Sequence, residues 1–179
     1  HADETPVAQL DPGSGKTQRA YLWAYRSNDF ELGPRIIVFD YQTSRSGKHV
    51  QNFLNNWQGH LLVDDYGGYK ALFSKTASPC TELGCWAHAR RKFFDLHQAN
   101  ASTVAFEALQ RIGKLYAVEA EGKHLSTEAR QQLRAEKSLP ILQSLHDWLL
   151  QTRFHTADGG GTAKAIDYTL KRWQSLIRY

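Results

Sequence analysis

The chain has 179 residues with 22 basic and 18 acidic side chains, and therefore a net charge of +4. Its 41% hydrophobic content is sufficient for a buried core, yet no apolar run approaches the roughly 18 residues of a membrane span. The two cysteines and the absence of a recognisable signal peptide argue against a secreted, disulfide-stabilised protein, so we expect a cytoplasmic globular chain. The slightly basic charge is compatible with a nucleic-acid partner. The sequence lacks Met, and we expect it to be a fragment of a longer protein.

The beginning of the chain has the pattern of an antiparallel meander. Three strand-like segments are joined by two turn regions: strands at 1–10, 17–26 and 35–41, and turns at 11–16 and 27–34. Pro6 is unfavourable at the centre of a sheet because it has no N–H to donate.

Two further strands and two helices complete the first half. They are a helix at 46–57, a strand at 60–64, a short helix at 69–73 and a strand at 81–86. Val50, Phe53, Leu54 and Trp57 have the spacing of one apolar helix face. The remainder predicts helices at 87–98, 104–121, 126–136, 140–151 and 163–178, with a flexible joint at 158–161.

This order predicts an α/β fold in two parts. Residues 1–98 would form a core with a five-stranded mixed sheet, and 99–179 an all-helical region. In a sheet of order 3-2-1-4-5, the first and fourth strands are parallel neighbours. Asp3 begins the first strand and Asp64 ends the fourth, so the two carboxylates would lie close together. Paired carboxylates of this kind hold two divalent ions about 3.5 to 4 Å apart for phosphoryl transfer.

Two other motifs allow alternative interpretations. Residues 12–17 resemble a phosphate-binding loop, but Leu10 stands where that motif requires Gly, and the flanking segments are strands, so we predict a hairpin turn. Cys80, Cys85 and His88 are metal-ligand types, with His97 or His60 as a fourth ligand. Their spacing is not that of a zinc finger. Buried thiols with a structural histidine are the simpler interpretation, so we do not expect zinc.

Three consecutive cations, Arg90, Arg91 and Lys92, lie near the start of the helix predicted at 87–98. Such a cluster is often only a solvated face. Beside the carboxylate end of a sheet, however, it would suit a phosphodiester backbone, and we therefore treat these residues as candidate DNA contacts.

Several phrases of the sequence, in their order and spacing, resemble the insertion-sequence-66 family of bacterial DDE transposases. They are His1–Pro6, Leu22-Trp23-x-Tyr25, Phe39-Asp40-Tyr41 with Ser44-Arg45, Asp64-x-Tyr66-x-Gly68-Tyr69, Cys85–Phe94, Leu115-Tyr116-x-x-Glu119 and Ala165-Ile166-x-Tyr168. The resemblance covers essentially the whole chain. It implies a ribonuclease H-like core followed by a helical insertion.

The resemblance also implies residue roles. Asp3 and Asp64 would be the first two acids of a DDE triad that binds two Mg²⁺ or Mn²⁺ ions, and the phrase after Asp64 selects it over Asp65. Cys85 and His88 would be an auxiliary element near the active site. The partners would be transposon ends and target DNA, bound by a homo-oligomer in the bacterial cytoplasm at the nucleoid.

The third acid departs from the family pattern. The family's Asn-Asn-x-x-Glu phrase does not occur after the helical insertion, so we expect the third acid and the last catalytic helix to lie beyond Tyr179. Glu119 is a weak candidate within the chain, and a structural role is the simpler interpretation for it. The predicted activity is metal-dependent DNA cleavage and strand transfer. The alternatives are a truncated, inactive DNA-binding fragment and a hydrolase such as a ribonuclease.

Overall fold

A computed structural model describes residues 1–28, 33–74 and 80–178. Within the predicted turn at 27–34, residues 29–32 lie outside the described residues. The chain divides into two compact units. One comprises residues 1–84 with Arg178, and the other comprises 85–177.

The first unit contains two separate sheets. One is an antiparallel meander of three strands: β1 (Ala2–Asp11), β2 (Lys16–Arg26) and β3 (Ile37–Gln42). The other is a parallel pair, β4 (Gly59–Val63) and β5 (Cys80–Gly84). The β1–β2 turn is tight, with an Asp11 carbonyl that accepts a hydrogen bond from the Ser14 N–H at 3.1 Å. Gly13 and Gly15 there have φ angles of +88° and +65°, which glycine adopts without strain.

The predicted five-stranded sheet of order 3-2-1-4-5, and with it the ribonuclease H-like core, is wrong for this structure. Although Cα atoms of β1 and β4 approach within 8 Å, the two strands are not neighbours in a hydrogen-bonded ladder. In the predicted order β1 would be central and would need donors on both edges. Pro6 removes one of those donors, which is consistent with a β1 that pairs only with β2.

Helix α1 (Gly47–Leu54) packs on the meander through Val50 and Leu54 of the predicted apolar face, whereas Phe53 is 42% exposed and Trp57 lies beyond the end of the helix. The Ser46 hydroxyl caps it by accepting a hydrogen bond from the Lys48 N–H. The core of this unit comprises Ala2, Trp23, Tyr25, Val50, Leu61, Val63 and Tyr69. After β4 a single 3₁₀ turn (Gly67–Tyr69) leads into the short helix α2 (Lys70–Phe73).

Helices are the regular elements of the second unit, and short turns join them. Its helices are α3 (Trp86–Asn100), α4 (Thr103–Glu121), α5 (Thr127–Leu133), α6 (Leu139–Phe154), α7 (Gly161–Lys171) and α8 (Trp173–Leu176). Phe93, Ile112, Leu149 and Ile166 are fully buried and form the centre of this bundle. The Trp86 indole N–H donates to the Leu176 carbonyl at 2.9 Å, which joins the start of the unit to its end.

Several helix boundaries differ from the sequence prediction: α1 ends at Leu54 rather than at 57, and α6 continues to Phe154 rather than ending at 151. Between α5 and α6 the chain does not leave the helix but forms a π-helical stretch, Arg134–Ser138. Pro140 lies just after it and has no N–H for the α-helical ladder, so a wider turn can form before it. The last predicted helix is interrupted at Arg172, where α7 ends and α8 begins.

Candidate functional site

Asp3 and Glu4 lie side by side on β1 but face opposite sides of the strand. Asp3 is exposed, and its backbone partner on β2 is Ala24. Glu4 is only 8% exposed and pairs with Trp23. The Asp3 carboxylate accepts a hydrogen bond from the Glu4 N–H at 3.0 Å. The more deeply buried acid of this strand is therefore Glu4, which the sequence analysis did not single out.

The buried Glu4 carboxylate is held on both of its oxygens. Arg45, in the loop before α1, donates to Oε1 from Nε at 2.8 Å and from Nη2 at 2.5 Å. The Tyr69 hydroxyl donates to Oε2 at 2.6 Å. Burial raises the pKa of Glu4 above its ordinary value of 4.5, because it outweighs the lowering by Tyr69 and Arg45, and the charge of Asp64 adds to the rise.

Asp64 follows β4 directly and shapes the turn that comes next. Its Oδ1 accepts a hydrogen bond from the Tyr66 N–H at 2.8 Å, a local bond typical of an Asp at the start of a turn. The Tyr66 ring lies 3.8 Å from the Arg45 guanidinium, and its hydroxyl donates to the Arg45 carbonyl. The turn after Asp64 is thus attached to the same arginine that holds Glu4.

Gly47 permits the close approach of this turn to α1. A Cβ atom at Gly47 would lie 2.7 Å from the Gly68 Cα atom, closer than real side chains come. The first residue of α1 and the loop after Asp64 therefore touch through their backbones.

The pKa of the buried Tyr69 hydroxyl is raised by its burial and by three carboxylates of this unit. Burial raises its pKa well above the ordinary value of 10, and the hydrogen bond and charge of Glu4 raise it further, followed by the charges of Asp64 and Asp3. Glu4, Arg45 and Tyr69 link the strand that carries Asp3 to the turn that follows Asp64.

The other predicted residues of the site belong to the second unit. Cys85 immediately precedes α3, and the pKa of its thiol is lowered. Burial alone raises this pKa, but interactions with His88 and with the Ala87 N–H outweigh that effect. Cys80, in the first unit, is buried next to the Trp57 carbonyl, and burial raises its pKa. Both thiols are free.

We expect Cys85 to react faster than Cys80 with iodoacetamide at pH 7, because the thiolate is the reactive form and Cys85 has the lower pKa and the greater exposure. Peptide mass spectrometry after timed alkylation measures both rates. The substitution His88→Asn should slow Cys85 and leave Cys80 unchanged. Equal rates for the two thiols in the folded chain would contradict this assignment.

The three predicted cations have different surroundings. Arg90 and Arg91 are exposed, whereas the Lys92 ammonium lies 5.4 Å from the centre of the Tyr168 ring on α7. Glu119, the weak candidate for a third acid, is bound by Arg134 through both of its oxygens, at 2.8 and 2.6 Å. Its carboxylate therefore has a structural partner within the helical unit.

A complete metal site is not present in the part of the chain that the structure describes, since no three His, Cys, Asp or Glu side chains are placed to share an ion there. Asp3 and Asp64 supply the hard carboxylate oxygens that Mg²⁺ prefers, but they are two ligands rather than three. The two carboxylates suit Mg²⁺ chemically, but the described residues do not supply a third ligand beside them.

Glu4, Arg45 and Tyr69 escaped the sequence analysis as site residues. One signal was available. Side chains alternate between the two faces of a strand, so Glu4 lies on the same face as Ala2. A carboxylate on a buried face needs a partner. The identity of that partner was not accessible, because Arg45 is 41 positions away in the sequence.

Comparison with known proteins gives the family of the chain. The sequence model described as "Transposase IS66 family" matches residues 1–179. Two relatives from Sinorhizobium fredii, both described as uncharacterized proteins (y4qI and y4jD), are 37% and 34% identical over 99% and 98% of this chain.

The chain spans about a third of the length of these curated relatives, 34% and 36% respectively. No solved structure matches it. Among the described residues, no helix is both long and apolar enough to cross a membrane. From the match over all of its residues, the chain belongs to the IS66 family of transposases.

Proposed function

We propose that this chain is part of a transposase that cleaves DNA strands and joins them to a target with the help of divalent metal ions, and that Asp3 and Asp64 are two of the metal ligands. The observation that supports the proposal is a set of contacts between the two strand ends. Glu4, next to Asp3, binds Arg45 and Tyr69, and the Tyr66 residue that donates its N–H to Asp64 stacks on the same Arg45. Membership of a transposase family supplies the class of reaction.

Mg²⁺ held by these carboxylates would activate the attacking oxygen and stabilise the leaving one. The other residues position the two acids. Glu4 fixes β1 through Arg45 and Tyr69, and Arg45 fixes the turn after Asp64 through the Tyr66 ring and its own carbonyl. The arginine charge also offsets part of the repulsion that three neighbouring carboxylates exert on one another.

A third metal ligand is required, and we assign it to a part of the whole protein outside this sequence. Glu119 is the weaker choice because Arg134 already binds both of its oxygens. We further propose that the whole protein acts on DNA ends as a homo-oligomer.

The test is a panel of substrates for the full-length protein in Mg²⁺. We expect cleavage of duplex DNA that contains the ends of the mobile element, and little cleavage of an RNA–DNA hybrid of the same sequence. Preferential cleavage of the hybrid would instead identify a ribonuclease. Omission of the metal ion should abolish cleavage and leave DNA binding in place.

A second candidate is a DNA-binding role without catalysis. The observation that favours it is the incomplete metal site among the described residues. Under this hypothesis the full-length protein binds DNA with an affinity that falls steeply as salt rises, but it cuts no strand at any Mg²⁺ or Mn²⁺ concentration.

A further inference from the structure

The helical unit contains a groove whose residues have no part in the proposed metal chemistry. It lies between α3 and α4, encloses about 510 Å³, and is lined by Ala87, Arg90, Arg91, Phe94, Gly113 and Tyr116. Its volume is within the range of small-ligand pockets. The α3 residues recur at the spacing of one helix face, and Gly113 and Tyr116 are three positions apart on α4.

The lining combines positive charge with exposed aromatic rings. Arg90 and Arg91 form no ion pair or hydrogen bond within residues 1–28, 33–74 and 80–178, and the lining contains no carboxylate. Phe94 and Tyr116 are each 44% exposed and line the same groove, so two aromatic rings are accessible beside the two arginines. The groove is therefore suited to an anion that is attached to a flat ring.

Gly113 is the least expected member of this set. It lies in the interior of α4, where glycine costs roughly 0.5 to 1 kcal/mol relative to alanine. Its backbone does not need a glycine, since its φ is not positive, and a Cβ atom there would meet nothing within 4 Å. Neither the backbone conformation nor steric crowding therefore requires glycine at position 113. A glycine there does keep the floor of the groove open.

We propose that this groove binds an unpaired nucleotide of DNA, with the base stacked on Phe94 and Tyr116 and the adjoining phosphate held by Arg90 and Arg91. In a duplex each base is already covered on both faces, so exposed rings add affinity only for bases outside the stack. The inference rests on the proposed function for its choice of DNA as the ligand.

The test uses the 179-residue chain and fluorescein-labelled oligonucleotides, a single-stranded 20-mer and its duplex, at one fixed salt concentration. Phe94→Ala should weaken single-strand binding about tenfold and leave duplex binding nearly unchanged, because base–aromatic stacking is lost only where bases are free. Arg90→Ala with Arg91→Ala should weaken both forms. Phe154→Ala and Lys164→Ala are matched controls on an exposed ring and an exposed cation elsewhere in the helical unit, and neither should alter binding.

Gly113 provides a variant that separates binding from folding. Gly113→Leu should fill the groove floor and weaken single-strand binding about tenfold, by the same loss of stacking, while the melting temperature stays the same or rises. Gly113→Ala should raise the melting temperature and weaken single-strand binding by a smaller factor than Gly113→Leu, because one methyl group covers less of the groove floor. A 2-aminopurine base in the single strand reports stacking directly, and its quenching on binding should be lost in Phe94→Ala.

Three results would overturn the proposal. They are wild-type affinity in both Phe94→Ala and Gly113→Leu, equal loss of single-strand and duplex binding in those variants, and tighter binding of an RNA 20-mer than of the DNA one. Failure here is distinguishable from failure of the proposed function. Metal-dependent cleavage by the full-length protein that persists without a preference for unpaired bases rejects the groove alone, whereas a full-length protein that neither binds nor cuts DNA rejects both.

Discussion

Replacement of Asp64 by Asn is expected to reduce Mg²⁺-dependent strand cleavage by the full-length protein on the order of 10³-fold, because metal ions contribute several kcal/mol of charge stabilisation and the amide cannot hold them. Asp3→Asn should have an effect of the same size. Cleavage of an end-labelled duplex with the element's ends, resolved on a denaturing gel, measures both.

Asp65 provides the matched control for this experiment. It has the same side chain and adjoins Asp64, yet we propose no metal role for it, so Asp65→Asn should cleave at nearly the parental rate. DNA affinity should be unchanged in all three variants. If Asp64→Asn cleaves as well as the parent, or if Asp65→Asn loses as much activity, the assignment of Asp64 as a ligand is wrong.

Replacement of Glu4 by Ala is expected to destabilise the β1–β2 hairpin by about 2 to 3 kcal/mol. Removal of one partner of a buried ion pair costs roughly 3 to 5 kcal/mol, and we reduce that figure because the Arg45 side chain is 43% exposed and can be rehydrated. Glu4→Gln keeps an acceptor for Arg45 and Tyr69 and should cost less than about 1 kcal/mol.

Hydrogen exchange of β1 and β2 peptides measures these changes locally, which suits a chain of two compact units. Asp11→Ala is the control, because it removes an acid at the other end of β1. Its partly exposed carboxylate accepts a hydrogen bond from the Gln18 side chain at 2.9 Å, and its loss should alter stability by less than about 0.5 kcal/mol. Equal protection of the hairpin in Glu4→Ala and the parent would show that Glu4 does not fix β1.

The raised pKa of Glu4 gives a pH dependence of known sign. The folded state holds this proton more tightly than the unfolded state, so the contribution of protonated Glu4 to stability is complete below pH 4.5 and is lost as the pH rises through the higher folded-state pKa. The stability of the parent relative to Glu4→Gln should therefore decrease as the pH rises above 4.5. Denaturation curves across that range check the slope, and a difference that grows with pH would refute it.

Local structure was largely predictable from the sequence, whereas strand pairing was not. All five strands were confirmed, because each has its own periodicity or turn residues, and α1 was confirmed except for its last turn, which the sequence extended to Trp57. Which strands are hydrogen-bonded neighbours depends on distant contacts. Pro6 was the only local sign that β1 would not be central, and the predicted sheet order disregarded it.

The residues of the candidate site were likewise predictable only in part. The family resemblance supplied Asp3 and Asp64, residues whose type and position a sequence pattern can identify. It could not supply the ion pair between Glu4 and Arg45, because a carboxylate on the buried face of a strand reveals that it needs a partner but not where the partner lies. The open space at Gly113 could not be predicted from the sequence either, since the space above a helical glycine depends on the neighbouring helix.

The tip of the β1–β2 hairpin offers a practical use. Its two glycines with positive φ have open space around them, and the end of β1 that interacts with Arg45 and Tyr69 lies at the opposite end of the strand. Short insertions in an exposed turn of this kind have a small entropic cost. With Cys80 and Cys85 replaced by Ser, a cysteine-containing peptide inserted between Gly13 and Ser14 would therefore give a single dye-attachment point for single-molecule recordings, with β1 kept in register.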